Sequence, residues 1–574
     1  MNSRLIEKIK SNNAKSEGLC KLYEEMEANE ASIWQIIESK NVTNWVEIFQ
    51  ERAKEYADRI VVKEVETKKC YTYGELDRAS DQICNFILSK SKSDSIGINF
   101  PNSFLFLAAL IGINKAGRLA VLFNHREPSA RLVELAKRSG VDEVFGNSID
   151  GCVKWDIEEA ITLAYRLEKK FDVHSTTLED AAFVIFTSGT SGPSKPALFS
   201  HRRMIGAGVA WSLRTAMDEN DSCYISLPLF HGNGLAVAFS SVVFAGANAV
   251  LRQKFSVSSF WEDVNSYKCT HMVYIGELWR YLLNRYKDGE NPNSSLKVIF
   301  GNGLTKNLWE DVIEHFGIEH VVEHFGATEM PAGALTNWFD IPGFCGYIPP
   351  QDERNKMMVL VDEDFNVVPD EVPGEALFKV ESGHYRGYLD PSLDEAKLVR
   401  SLFKEGDLWW RSGDLLKRNS DGFYIFVDRL GDTYRYKGEN VACSDVEEAI
   451  RQIGEFEEVV VYGIELPGIN GKIGVASLVP AKKWSPNILP SFLTEMRKRV
   501  ADHALPYFLK IVNEKHQTTS TLKIQKSRLS KEGLKGFKEG CCYVLIDGVY
   551  TPIYDEIYNK LNNGTLVPSL KRVK

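Results

Sequence analysis

An apolar run that ends in a dense cluster of small hydroxylated residues can be built in only a few ways. Here that stretch is Phe183-Val-Ile-Phe-Thr-Ser-Gly-Thr-Ser-Gly-Pro-Ser-Lys-Pro-Ala-Leu-Phe-Ser-His201. The run to Phe186 predicts a buried strand, and the Thr, Ser and Gly that follow predict a tight polar loop. Gly189 and Gly192 admit positive φ, while Thr187, Ser188, Thr190 and Ser191 supply hydroxyls. Lys195 adds a point charge, so the loop offers one phosphate group a nest. A hydroxyl-rich surface turn is the plainer alternative. The stretch is not a Walker A loop, which needs Gly directly before its Lys and Ser or Thr directly after; Lys195 stands between Ser194 and Pro196.

A chain of 574 residues can fill several cores, and 44% hydrophobic with 26% charged residues is a soluble globular balance. The formal net charge of −9 opposes unaided docking on nucleic acid, so no nucleic-acid partner is expected. The 10 cysteines are scattered without CxxC spacing, which predicts a reducing, cytoplasmic compartment. Met1 to Lys10 shows no apolar segment of a secretory signal. The long uncharged run 227–251 approaches a membrane span in length, but Pro228, His231 and Asn233 interrupt it, and a buried core helix fits better. Peripheral membrane contact is compatible with such a chain. The expected state is a monomer or a homodimer.

Periodicity predicts an amphipathic helix within residues 1–40 and a helix over 45–56. Strands at 60–65 and 70–73, a helix over 73–90 and a β-α-β unit of 95–100, 104–116 and 119–123 follow. Beyond the polar loop, Ser200 is placed to cap a helix. The alternation continues with strand 223–227, a helix to 244, strand 248–251, helix 260–267, and strands 270–274, 296–300 and 320–325. This pattern argues for an α/β fold with helices on the sheet faces. From 356 to 378 short strands and turns suggest a small β subdomain, and Asp421-Gly422 marks a hairpin between 409–417 and 423–428. Composition grows more charged after Arg429. A large domain, 1–428, and a smaller α+β domain, 429–574, are therefore expected. The latter reads as helix 445–453, strands 459–465 and 474–479, helix 489–500 and a basic loop around Lys523.

Gly326-Ala-Thr328-Glu329 puts a hydroxyl and a carboxylate at the C-terminal end of a strand, where open α/β sheets bind ligands. His320 and His324 invite a metal hypothesis. On a strand, four residues separate them by roughly 13 Å, too far to share one ion. Taken singly, Asp414 is a turn residue, His231 a buried histidine and Lys523 a solvated lysine.

The segment Thr187 to Lys195 resembles the phosphate loop T-S-G-T-T-G-x-P-K of adenylate-forming enzymes, the superfamily of acyl-CoA synthetases, luciferases and peptide-synthetase adenylation domains. Ser194 replaces its usual Pro. Tyr274-Ile-Gly-Glu-Leu-Trp-Arg-Tyr-Leu-Leu283, Gly301-Asn-Gly-Leu304, Leu402-Phe-Lys-Glu-Gly-Asp407 and the stretch from Asp428 to Asn440 are similar to the fatty acid transport protein and very-long-chain acyl-CoA synthetase family. The resemblance implies a large α/β domain with a small β subdomain and a smaller mobile α+β C-terminal domain.

It also implies roles. Ser188, Gly189, Thr190, Ser191 and Gly192 join Thr187 and Lys195 around the phosphates. Thr328 contacts the same phosphates, and Glu329 holds Mg2+, which shares its oxygen ligands with them. Asp414 accepts both ribose hydroxyls, a task suited to two acceptor oxygens, with Arg429 on ribose or phosphate. His324, Phe325 and Gly326 flank the adenine, and Gly301, Asn302 and Gly303 give it a close backbone. His231 lines the acyl site. Lys523 aligns with the catalytic lysine, although Leu522 and Lys526 replace the usual Gly and Arg. Gly431 falls at the hinge, for which a plain hairpin glycine is the alternative. The implied activity is an ATP- and Mg2+-dependent ligase that joins a fatty carboxylic acid to coenzyme A through an acyl-adenylate. A carnitine-like or bile-acid-like substrate, a carrier-protein thiol, or a non-catalytic lipid uptake protein are the alternatives.

Overall fold

The computed structural model describes residues 7, 9, 16–164, 175–187, 194–286, 294–331, 333–381, 385–430, 433–436, 439–467, 469, 471–518, 524, 526–537 and 541–570. Two α/β sheets make up most of the first 340 residues. One has eight strands, and its centre is parallel: His320–Phe325, Val298–Asn302, His271–Ile275, Ser222–Ile225, Asn248–Leu251 and Ile60–Glu64 lie side by side in that order. The other has six, with Ser95–Asn99, Leu119–Leu122 and Ala181–Thr187 parallel at its centre. Parallel strands need both faces covered, which is why Ala181–Thr187 reads Ala-Ala-Phe-Val-Ile-Phe-Thr with little alternation.

The helices between the sheets show how the sequence enforces this. Tyr73–Lys90 begins with a capping box in which Thr72 and Glu75 satisfy each other's backbone N–H groups. Phe104–Lys115 is capped by Ser103 and buried on nearly every side, touching both Tyr73–Lys90 and the strands of the six-stranded sheet. A single apolar core runs through these helices and both sheets.

A third, antiparallel sheet holds Gly346–Tyr347, Phe423–Arg429, Leu408–Arg418, Gly374–Lys379 and Met358–Val361, with Leu398–Arg400 added beside Leu408–Arg418. The hairpin at Asp421-Gly422 and the β-rich stretch expected near 356–378 are both present. Past residue 433, a five-stranded sheet from Phe456–Glu465 to Val549–Pro552 has its own apolar core, flanked by the helices Cys443–Arg451 and Leu489–Arg499.

Two segments differ from the sequence-based expectation. The run 227–251 is not one helix: Asn233–Phe239 is π-helical, Ser240–Ala245 is α-helical, and Gly246 ends it in the left-handed region at φ 72° before the strand Asn248–Leu251. Among the described residues no helix is long and apolar enough to cross a membrane. The second difference is the strand Lys195–Ser200, which runs antiparallel to Ala181–Thr187 at the sheet's edge. Pro196 is admissible there because an edge strand does not need every N–H.

One buried polar tie sets the position of the strand that leads to the polar loop. Asn114 accepts from Trp45 Nε1 at 2.7 Å and donates to the Ala182 carbonyl at 2.7 Å. Asn114→Leu strands both partners in the core and is expected to cost about 2 to 4 kcal/mol. Urea denaturation of the purified variant measures this; a loss below about 0.5 kcal/mol contradicts the assignment.

Candidate active site

The strands Ala181–Thr187 and Lys195–Ser200 pair so that Thr187 faces Lys195 across the mouth of the hairpin. Ser188, Gly189, Thr190, Ser191 and Gly192 lie outside the described residues. The free edge of Lys195–Ser200 is covered by a short segment of the β subdomain: Leu198 N donates to the Gly387 carbonyl, and Leu389 N to the Pro196 carbonyl. This pairing brings buried Tyr388 under the hairpin mouth. Its hydroxyl donates to Glu329 Oε1 at 2.8 Å and is hydrogen-bonded by Thr187, and Lys195 Nζ lies 5.3 Å from its ring centre. Burial, reinforced by the Glu329 carboxylate, pushes the phenol up, so it remains a donor. Three residues read from distant motifs thus meet on a tyrosine that no sequence pattern singled out.

Gly326, Ala327, Thr328 and Glu329 follow the strand His320–Phe325 as expected. Arg203, in the helix capped by Ser200, donates to the Thr328 carbonyl, with its guanidinium 4.3 Å from the Phe199 ring centre. Burial pushes the Arg203 guanidinium down to about 10, which leaves it charged at neutral pH. A Cβ at Gly232 would lie 3.9 Å from Thr328 Oγ1, so the backbone beside His231 borders this corner. His231 is shielded, and burial lowers its imidazole to about 4, so it is neutral under physiological conditions. The π-helix starts two residues later, a form found mostly as short stretches at functional sites. Its first residue, Asn233, donates to Asn302 Oδ1 at 2.7 Å.

Gly301, Asn302 and Gly303 finish the neighbouring strand. No side chain fits at Gly301, where a Cβ would fall 2.1 Å from the Tyr274 carbonyl oxygen. The turn is held by Glu323, which is buried and accepts from Gly303 N, Leu304 N and the Tyr274 hydroxyl. His324 is also buried, its ring edge-on to Trp211 at 4.8 Å, and burial lowers its imidazole to about 4. The Phe325 ring instead packs between Phe378 and Phe426, centre to centre 6.2 and 6.3 Å, in the core of the antiparallel sheet.

Asp414 and Arg429 face each other on adjacent strands, Nε to Oδ1 3.4 Å, with Asp414 buried and Arg429 more exposed. Beside them stands Lys397, which belongs to no motif. Its Nζ donates to the Ser412 carbonyl at 3.0 Å and lies 5.3 Å from the Trp410 ring centre. Burial lowers its ammonium, against the opposing fields of Glu329, Asp414 and Glu375. Glu329 and Asp414 thus both lie near enough to Lys397 for their charges to act on it.

Lys523 and Gly431 lie outside the described residues. Their flanks are placed: Thr518 bridges Ile524, and Lys526 Nζ is 2.8 Å from Glu447 Oε1 on the helix Cys443–Arg451. Ser444 of that helix donates to the Val427 carbonyl at 2.7 Å, joining the C-terminal segment to the strand that carries Arg429.

Burial raises the Glu323 carboxyl from its ordinary 4.5 to about 8, against the three donors that lower it. Because the folded value lies above the unfolded one, its contribution to stability is full below about pH 4.5 and is lost as pH rises through 8. Glu323→Gln keeps an acceptor for Gly303 and Leu304 and removes this titration. Its melting temperature relative to the parent is expected to rise between pH 5 and pH 9; a pH-independent difference contradicts the buried-acid reading.

Residues 49–389 match the family described as AMP-binding enzyme. The chain is 30% identical over 553 residues to the medium/long-chain-fatty-acid–CoA ligase FadD6 of Mycobacterium tuberculosis, covering 90% of this chain and 91% of that one. It is 30% identical over 568 residues to long-chain fatty acid transport protein 1 of Rattus norvegicus, covering 90% and 87%. Among solved structures, the o-succinylbenzoate CoA synthetase of Bacillus subtilis in complex with its acyl-adenylate intermediate superposes with a TM-score of 0.71 at 23% identity, over 85% of this chain and 98% of that one. MatB of Rhodopseudomonas palustris, bound to ATP, gives 0.73 at 18%, over 85% and 98%. The structural matches show the shared fold. With the sequence matches, they establish that the chain belongs to the AMP-binding enzyme family, as an AMP-forming acid–CoA ligase related to the fatty-acid–CoA ligases and fatty acid transport proteins.

Proposed function

We propose that this chain activates a long-chain or very-long-chain fatty acid with ATP and transfers the acyl group to coenzyme A, both steps in the cleft around Tyr388. The observation that carries the reading is the junction of Thr187, Lys195 and Glu329 on Tyr388, with Asp414 in the same cleft. Fatty-acid–CoA ligases among the relatives support the substrate class.

Thr187, Lys195 and the loop 188–192 hold the β- and γ-phosphates, and Asp414 accepts the ribose hydroxyls with Arg429 beside it. His324, Gly326 and the Gly301-Asn302-Gly303 turn border the adenine, with Phe325 present there only through its backbone. His231 and the backbone at Gly232 border the acyl carboxylate. Glu329 suits Mg2+: it is a hard oxygen donor, and no group of three or more acidic, His or Cys ligands is found among the described residues. Magnesium that takes one carboxylate and completes its shell with phosphate oxygens and water matches that donor set. When bound, it neutralises phosphate charge. Tyr388 and Arg203 orient the Glu329 segment.

In the first step a carboxylate oxygen of the fatty acid attacks the α-phosphorus, and the α–β P–O bond breaks to release pyrophosphate. The acid is already ionised at neutral pH, so no general base is required. What the residues supply is alignment of two anions and charge for the developing transition state, with Lys523 contributing to that charge. In the second step the thiol sulfur bonds to the acyl carbon as the C–O bond to AMP breaks, and the thiol proton leaves to solvent. Residues 1–428 and 429–574 act as separate domains, and rotation about Gly431 exchanges Lys523 for the thiol route. A long acyl chain partitions into lipid, so the working place is the cytoplasmic side, with peripheral membrane contact.

With ATP, Mg2+ and a ladder of saturated acids, pyrophosphate release should depend on the acid and peak with long chains, and acyl-CoA should accumulate on adding CoA. No release with any acid would overturn the proposal. Lys523→Ala should slow adenylate formation by about a hundredfold or more while leaving transfer from supplied acyl-AMP near the parent rate. Gly431→Pro should reverse that pattern; single-turnover assays of each half-reaction distinguish the two, and equal loss of both steps contradicts the division of labour.

A further inference from the structure

The cations expected around the nucleotide were Lys195, Arg429 and Lys523. Lys397 joins them only in three dimensions. It ends a short 3-10 turn, Glu395–Lys397, and reaches across Trp410 to the Ser412 carbonyl. That carbonyl is its one hydrogen-bond acceptor among the described residues, so two of the three N–H donors of a protonated lysine are left over. Glu329, Asp414 and Glu375 all raise its proton affinity by proximity, yet among the described residues none forms an ion pair with it, and Lys195 opposes them from the hairpin side. Glu375 is already engaged by Arg411 at 2.6 Å and by Gly413 N at 3.2 Å. Surface lysines that merely balance charge usually do so by direct pairing; this one sits among carboxylates with its donors spare.

The two ends of the site define what lies between. Glu329 marks the β,γ-phosphate end and Asp414 the ribose end. Covalently, the group that joins ribose to the β-phosphate is the α-phosphate. We infer that Lys397 is a nucleotide-contacting residue that binds the α-phosphate, both in ATP and in the AMP moiety that remains after pyrophosphate leaves. This rests on the proposed nucleotide site. A lysine there lowers the charge on the phosphorus under attack and stays with the adenylate through the second step. Its contact with the Ser412 carbonyl and the Trp410 ring keeps the long side chain from collapsing onto Asp414.

The test is equilibrium binding of adenosine, AMP and Mg·ATP to the full chain and to Lys397→Met, Lys397→Gln and Lys397→Arg. A charge-assisted phosphate contact predicts that Met and Gln weaken AMP and Mg·ATP by about tenfold or more. Adenosine, which lacks phosphate, should bind as before, and Arg should recover most of the loss. Unchanged AMP affinity in both neutral variants overturns the inference. So does an equal loss of adenosine and AMP, or a loss that Arg does not recover, since either marks a structural role. Asp414→Asn and Glu329→Gln serve as the companion arm. If they weaken adenosine and Mg·ATP respectively while Lys397 variants do not, only the inference fails; if neither changes any affinity, the nucleotide-site reading fails with it.

Discussion

The cleft depends on two backbone hydrogen bonds. The strand Lys195–Ser200 would be an open edge, and the β subdomain closes it by pairing Gly387 and Leu389 with Leu198 and Pro196. An unpaired edge is a liability in any sheet, so this closure has a structural reason of its own. Its functional consequence is that Lys195, at the end of the hairpin strand, lies over the Tyr388 ring, and the Tyr388 hydroxyl donates to Glu329. Three sheets that could have packed in other ways are registered at this point to within hydrogen-bond distance.

Around that junction, backbone segments beside the site are held from behind by buried ionisable side chains. Arg203 grips the Thr328 carbonyl, and Glu323 grips the Gly303 and Leu304 amides. Burial opposes the charge of both: Arg203 stays charged at about 10, while Glu323, raised to about 8 against its three donors, holds the amides as a buried acid. Burial lowers the imidazoles of His231 and His324 to about 4, the latter against a backbone hydrogen bond at Gly301, and both take the neutral form. The site is thereby electrically ordered before a ligand enters: fixed positive groups near the hairpin, fixed carboxylates opposite, neutral rings at the sides.

Polar contacts join the C-terminal segment to the rest of the chain. Ser444 donates to the Val427 carbonyl, and Asn307 donates to Glu448 at 3.2 Å. Its apolar core is separate from the one that joins the two α/β sheets. Polar contacts across such a boundary can be exchanged with water at small net cost, whereas an apolar interface could not be opened so cheaply. That contrast suits a part of the chain proposed to turn during the reaction.

Much of this was legible in the chain itself. Helix and strand spans such as 73–90, 248–251 and 320–325 followed from apolar periodicity, and the Ser200 cap and the Asp421-Gly422 hairpin from local turn chemistry, because those preferences act within a few residues. Thr187 and Lys195 stood out as part of a hydroxyl-rich loop after an apolar strand, whereas Glu329, Asp414 and Arg429 drew attention chiefly through the resemblance of their motifs. The π-helical turn at Asn233–Phe239 and the strand Lys195–Ser200 were not legible, since each answers to neighbours far away in sequence. The same holds for Tyr388, Arg203 and Lys397. Nothing local distinguishes them from any tyrosine, arginine or lysine, and they acquire roles only because edge pairing and burial set them against Glu329, Thr328 and Ser412. The sequence alone determined which groups could do the chemistry; tertiary packing decided which ordinary side chains would hold them, because the fields and hydrogen bonds involved exist only across chain separations of tens to hundreds of residues.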